Sequence, residues 1–213
     1  MAKSLQTLAF DAAAVAGLFT RADGTYRFAR WGRPIVPVVF GTDDAALAVV
    51  KGAIEAVVAL AGHKMATTDP ELGANLMLFF IRDWAELPEV PGLDHLVPGL
   101  GALCTRLAAR DANQYRLFRR DEAGAIKAVL VFLRMDAALS ALTVHDLALL
   151  QAVEAICLWS ENAFVAQAPL AQISGRAVLR PEIAAVIRAA YDPVLPLASD
   201  DPSHALRLAA RLR

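Results

Sequence analysis

The residues that could bind a metal or act as a base are four histidines, His63, His95, His145 and His204. No two stand at the i, i+4 spacing by which one helix face presents two imidazoles to a zinc ion. The nearest approach is His145-Asp146-Leu147-Ala148-Leu149. There an aspartate, one methylene short of glutamate, stands in the place of the general base, and a leucine stands where the second ligand would be. His145 therefore reads as a first-turn helix residue facing solvent, and His63 as a cation favoured at a helix C-terminus. His95 and His204 fall in loop or helix-start positions and need no function. Nucleophile and phosphate motifs fail as well: no GxSxG is present, Ser174-Gly175 lacks the preceding pattern, and Gly99-Leu100-Gly101 is too short for a dinucleotide loop. Cys104 and Cys157 are too far apart for a CxxC motif and read as small buried hydrophobes.

The remaining candidates are for binding. His145, Gln151 and Glu154 share one long helix, and Glu154 and Glu161, seven residues apart, fall on one face of it. Trp31 stands between Arg30 and Arg33, and Trp159 stands near Glu161. A tryptophan among arginines can recognise a ligand by stacking or cation–π contact, though it more often closes the edge of a core. These five, His145, Gln151, Glu154, Trp31 and Trp159, are the candidate ligand-binding residues. No catalytic residue, metal ligand or cofactor is assigned.

The elements that must position them follow from periodicity and punctuation. Residues 10–19 read as a helix, 26–28 as a short edge strand, and 35–40 as a strand whose Pro37 points to a sheet edge or a bulge. Thr42, Asp43 and Asp44 cap a helix over 44–61, and the apolar run 75–81 returns to the same sheet as a strand, making a βαβ unit. A helix over 100–109 is followed by strands over 115–120 and 125–134, joined by Asp121-Glu122-Ala123-Gly124 as an antiparallel hairpin. Residues 143–162 then form one long apolar helix, with Thr143 as its cap and Leu147, Leu150, Val153, Cys157 and Leu158 at helical spacing. Helices over 181–191 and 202–212 finish the chain, with Pro181 and Pro202 in their first turns. The expected architecture is α+β: one domain over 1–213, a single mixed sheet with helices packed on it, and one long central helix.

Composition excludes several classes of function. A formal net charge of −1 gives no drive toward nucleic acid. Arg119 and Arg120 are offset by Asp121 and Glu122, and Arg207, Arg211 and Arg213 suit the end of a last helix. The longest uncharged apolar runs fall far short of the roughly 18 residues that span a bilayer. Asp11 interrupts the apolar stretch from Leu8 to Leu18 and no clear cleavage site follows. The chain as written is thus expected in the cytoplasm, or in the periplasm if an export signal has been removed.

Two segments carry a resemblance. Arg27-Phe28-Ala29-Arg30-Trp31-Gly32-Arg33-Pro34-Ile35-Val36-Pro37-Val38 resembles the opening "RW..P(I/V).V.V" of a proteobacterial family of uncharacterised, often exported proteins with a zincin-like fold. Ile187-Arg188-Ala189-Ala190-Tyr191-Asp192-Pro193-Val194-Leu195 resembles the "LLYDPRL" stretch near that family's end. The family's long helix carries (H/Y)EExxQ with an "ALGL" continuation. Here the acidic pair is reduced to Asp146, and Gln151 is one place out of register. The resemblance implies a degenerate member that keeps a zincin-like fold without peptidase activity. Three functions follow as expectations: a non-catalytic domain binding a protein, peptide or small ligand; a metal-dependent hydrolase with dispersed ligands such as His145, Glu154 and His95; and a self-associating structural protein, prompted by a hydrophobic fraction of 57%.

Overall fold

The apolar runs Leu76–Ile81 and Ile126–Arg134 are buried on both faces, as strands in the middle of a layered sheet must be. The computed structural model describes residues 10–212. The start of the Leu8 to Leu18 stretch, on which the export expectation bears, and Arg213 lie outside them. In chain order the first half contains helix α1 (Ala12–Gly17), strand β1 (Phe28–Ala29), strand β2 (Pro37–Phe40), helix α2 (Asp44–Leu60) and strand β3 (Leu76–Ile81). A 3-10 turn (Trp84–Glu89) leads to helices α3 (Leu93–Leu96) and α4 (Leu100–Ala109), then strands β4 (Gln114–Arg120) and β5 (Ile126–Arg134). Helices α5 (Ala137–Ser140) and α6 (Val144–Ile156), strands β6 (Leu170–Ile173) and β7 (Arg176–Leu179), helix α7 (Pro181–Ala190), strand β8 (Ala198–Ser199) and helix α8 (His204–Ala209) complete it.

Four strands form an open mixed sheet in the order β2-β3-β5-β4, with β2, β3 and β5 parallel and β4 antiparallel to β5. β2-α2-β3 is the expected βαβ unit, and Pro37 sits on an edge strand, where a missing N–H costs the ladder nothing. Gly41 ends β2 at φ +80°, and a Cβ there would lie 2.0 Å from the Phe80 carbonyl oxygen, so only glycine fits. The β4–β5 turn is held by the Asp121 carboxylate, which accepts from the Ala125 N–H at 2.9 Å.

Alternation in the central strands splits the core into two layers. Leu76, Leu78, Val129 and Val131 face α2, α6 and α7, while Phe79, Ile81, Leu130 and Phe132 face the 3-10 turn, α3 and α4. The fold is thus α+β with an open mixed sheet. It is not a single sheet: β1 pairs with β8 and β6 with β7 in two separate ribbons. The second ribbon turns through Ser174 and Gly175, at φ 51° and 75°, the paired positive values of a two-residue hairpin.

The long helix is shorter than its apolar periodicity predicts. α6 stops at Ile156, and Cys157 is extended at φ −135°, ψ 160°. From there the backbone pairs with the segment around β1: Cys157 bridges Arg30, and the Leu158 N–H donates to the Ala29 carbonyl at 2.9 Å. Burial continues past the helix end because Cys157 and Leu158 stay in the core as an extended segment. Among the described residues, no helix is long and apolar enough to cross a membrane.

Candidate functional site

β4 is an edge strand, and its alternate residues Gln114, Arg116, Phe118 and Arg120 turn toward the α6 side of the sheet. Their cross-strand partners on β5 include Leu133, Val131 and Val129, which belong to the α2/α6 core. A polar row therefore faces inward beside an apolar one, and a cleft of about 630 Å³ opens along it. Glu154, in the last turn of α6, supplies the opposite wall with Leu158 and Trp159 from the extended segment beyond and Glu161 from the turn after it. Arg21 and Arg27, between α1 and β1, line it as well, as does Phe164, edge-on to Trp159 with ring centroids 5.2 Å apart.

At the base of the cleft, Arg116 ties the strand to the helix. Its Nη2 forms an ion pair with Glu154, donates to the Gln151 Oε1, and donates to Gln114 Oε1 at 2.9 Å. The ion-paired side chains are only 17% and 16% exposed, and Gln151 is 1% exposed. Burial pushes the Glu154 carboxyl above its ordinary range, with Arg116 opposing, and burial lowers Arg116, with Glu154 opposing. Glu161, nearer the surface, accepts from the Ala22 N–H at 2.7 Å and from Arg21 at 3.3 Å, bonds that hold its carboxyl below the usual range. Trp159 donates its Nε1–H to the Val153 carbonyl at 2.8 Å and stacks on Phe19 with centroids 5.1 Å apart. Ser160 donates to the Gly17 carbonyl at 3.3 Å rather than to a base, so the hydroxyl in the wall is not an activated nucleophile. Among the described residues, the buried Nε atoms of Arg21 and Arg116 in the cleft lining have no hydrogen-bond acceptor, the Nε of Arg27 meets only Asp200, at 3.6 Å, and behind Arg116 the Nε2 of Gln151 is also without one.

No protein-family model, no curated protein and no solved structure matches this chain.

Of the five candidates from the sequence, Glu154 and Trp159 line this cleft, and Gln151, 1% exposed, lies buried behind Arg116, to which it is bonded. His145 is exposed in the first turn of α6, and nine residues of helix, a rise of about 13 Å, separate it from Glu154. Trp31 is fully buried and donates its Nε1–H to the Ala155 carbonyl at 2.9 Å, so it is a core residue and not a recognition surface. The cation–π contact there is Arg30 over the Tyr191 ring, at 5.3 Å. Glu161 does line the same cleft as Glu154, but from the turn after the extended segment, not from a shared helix face.

His145, Glu154 and His95 do not converge, because His95 sits on α3, across the sheet from α6. Among the described residues no three His, Cys, Asp or Glu side chains are grouped to hold a metal ion. His63 Nε2 is hydrogen-bonded to the Arg33 carbonyl, 2.8 Å away, and burial lowers its pKa, so it is not the helix-terminal cation expected. His204 is buried against Tyr26, 3.0 Å from its hydroxyl, and burial pushes it down to about 4. Sequence reasoning missed Arg21, Arg27, Arg116 and Arg120. The signal for two of them was present in the period-2 row Gln114, Arg116, Phe118, Arg120, opposite a strand too apolar to leave either of its faces in water.

Proposed function

We propose that this protein is a non-catalytic binding domain on a degenerate zincin-like scaffold, with a protein segment, peptide or small molecule seated in the cleft between β4 and α6. The observation that carries the reading is the use made of the helix's polar groups. Gln151 and Glu154 are both engaged by Arg116 from the facing strand. A guanidinium in that position neutralises the carboxylate, blocks it as a base, and repels a divalent cation. The scaffold reading draws support from the two segments that carry the resemblance. The Trp31 N–H donates to the Tyr191 hydroxyl at 3.3 Å, and that hydroxyl donates to the Ile156 carbonyl at 2.8 Å, so the two segments meet at the end of α6.

The test is a thermal-shift screen of peptides and metabolites beside a mass-spectrometric assay for cleavage of the same peptides with zinc added. A stabilising ligand whose effect is lost in Phe118→Ala/Phe164→Ala, with no cleavage, is expected. Zinc-dependent cleavage that disappears in Glu154→Gln overturns the reading.

One observation favours self-association as a second property. Leu142 and Val144, 40% and 46% exposed, flank an apolar hollow of about 420 Å³ that Phe80 and Met135 also line. Contiguous exposed apolar surface marks interfaces.

A further inference from the structure

We propose that the ligand of the cleft is a small organic anion, a carboxylate or a phosphate monoester, that carries an apolar group. The inference rests on the reading of the cleft as a binding site and assigns the chemistry of what it binds. Arg21, Arg27, Arg116 and Arg120 line the cleft against only Glu154 and Glu161, an excess of two positive charges in a chain whose formal charge is −1. Two of these arginines have weak claims on them. Arg120, exposed at the end of β4, has no carboxylate partner among the described residues, and Arg27 reaches only Asp200, at 3.6 Å and 72% exposed. A pair that open to water is worth little and is readily exchanged for a better one.

The hydrogen-bonding needs of the cleft favour an anion independently of its net charge. Among the described residues, apart from the Glu154 Oε2 that Arg116 meets in the ion pair, the buried polar atoms of the cleft lining left without a hydrogen-bond partner are all N–H donors: Arg21 and Arg116 through Nε, and Arg27 through an Nε that meets only Asp200, at 3.6 Å. Buried donors without acceptors cost free energy, and a ligand that brings acceptor oxygens recovers it. Carboxylates and phosphates present several acceptor oxygens in the geometry a guanidinium fork matches.

About 630 Å³ falls within the range of small-molecule sites, and Phe118, Trp159 and Phe164 give the cleft an aromatic side against which an apolar body can lie.

The test titrates the full chain, by calorimetry and by the change in tryptophan fluorescence, with four probes of similar size: phenyl phosphate, 3-phenylpropionate, the uncharged methyl ester of 3-phenylpropionate, and benzyltrimethylammonium. At least one anion is expected to bind saturably, more weakly as salt is raised. Arg27→Gln and Arg120→Gln are each expected to weaken it by about tenfold without changing Tm. Arg106→Gln, on α4 across the sheet, is expected to leave it unchanged. Tighter binding of phenyl phosphate assigns a phosphate monoester, and tighter binding of phenylpropionate assigns a carboxylate. If the ester binds as tightly as the anions, if the ammonium probe binds better, or if neither arginine substitution matters, the assignment to an anion at this site is overturned while the cleft remains a binding site. Neutral ligands alone from the thermal-shift screen have the same meaning. A screen that yields no ligand at all overturns both readings.

Discussion

A guanidinium and a carboxylate withdrawn from water together each lose several kcal/mol of hydration, and Arg116 and Glu154 offset that loss mainly through one another. Arg116→Met removes the cation and leaves the carboxylate of Glu154 in its buried place. The expected cost is about 3 kcal/mol at pH 7, measured by urea denaturation. The pH dependence has a definite sign. Burial already raises the Glu154 carboxyl above its ordinary value of 4.5, so its ionised form is the costly one in the folded state, and Arg116 is the group that opposes the rise. Without Arg116 the folded-state value rises further. The variant's deficit is therefore full at pH values above that raised value, shrinks as pH falls through it, and is gone below 4.5, where Glu154 is protonated folded or unfolded. Replacing both partners with Arg116→Met/Glu154→Leu should recover most of the loss. A deficit that stays constant from about pH 8 to about pH 4 would show that the substituted methionine packs badly and that the ion pair is not the cause.

Between elements, the joint that sets the register of β2 on β3 is polar. Asn75 is fully buried just before β3. Its Oδ1 accepts from the Val36 N–H at 2.8 Å, and its Nδ2 donates to the Pro34 carbonyl and to Asp69 Oδ2, both at 2.9 Å. Asn75→Leu keeps the branched outline of the side chain and strands a backbone donor and acceptor, which should cost about 3 kcal/mol in chemical denaturation and speed hydrogen exchange at the Val36 amide. Unchanged exchange at Val36 would refute that role. The sequence displays Asn75 only as the polar start of an apolar run, because a run marks burial and not what a buried amide bonds to. The same boundary runs through the rest of the fold. The βαβ unit, the β4–β5 hairpin and α2 are legible because caps, glycines and apolar runs agree over short distances. The end of α6 is not, since Cys157 and Leu158 are apolar in a helix or in a strand and a pairing with Ala29 and Arg30, more than a hundred residues away, decides between them. Gln151 and Glu154 could be singled out as polar residues on an apolar helix. Arg116 could not be matched to them, since only the sheet order brings β4 to the side of α6.

Across the whole molecule, α6 runs between two unlike surfaces. Its first turn, with Val144 and Leu147, borders the apolar hollow, and its last turn, with Glu154, borders the arginine-lined cleft. The hollow lies by the C-terminal ends of β2 and β3, near Gly41 and Phe80. A formal charge of −1 sets up little repulsion between two copies, so apolar surface of this kind can bring them together. Sedimentation velocity over a concentration series should show a reversible monomer–dimer equilibrium, and Leu142→Glu/Val144→Glu should leave only monomer, because each carboxylate would have to be desolvated in the contact. Since the cleft lies at the other end of α6, that variant should bind the cleft's ligand with unchanged affinity. A strict monomer at every concentration would remove the self-association and leave the cleft untouched, whereas a dimer that the double glutamate variant does not dissociate would place the contact on another surface.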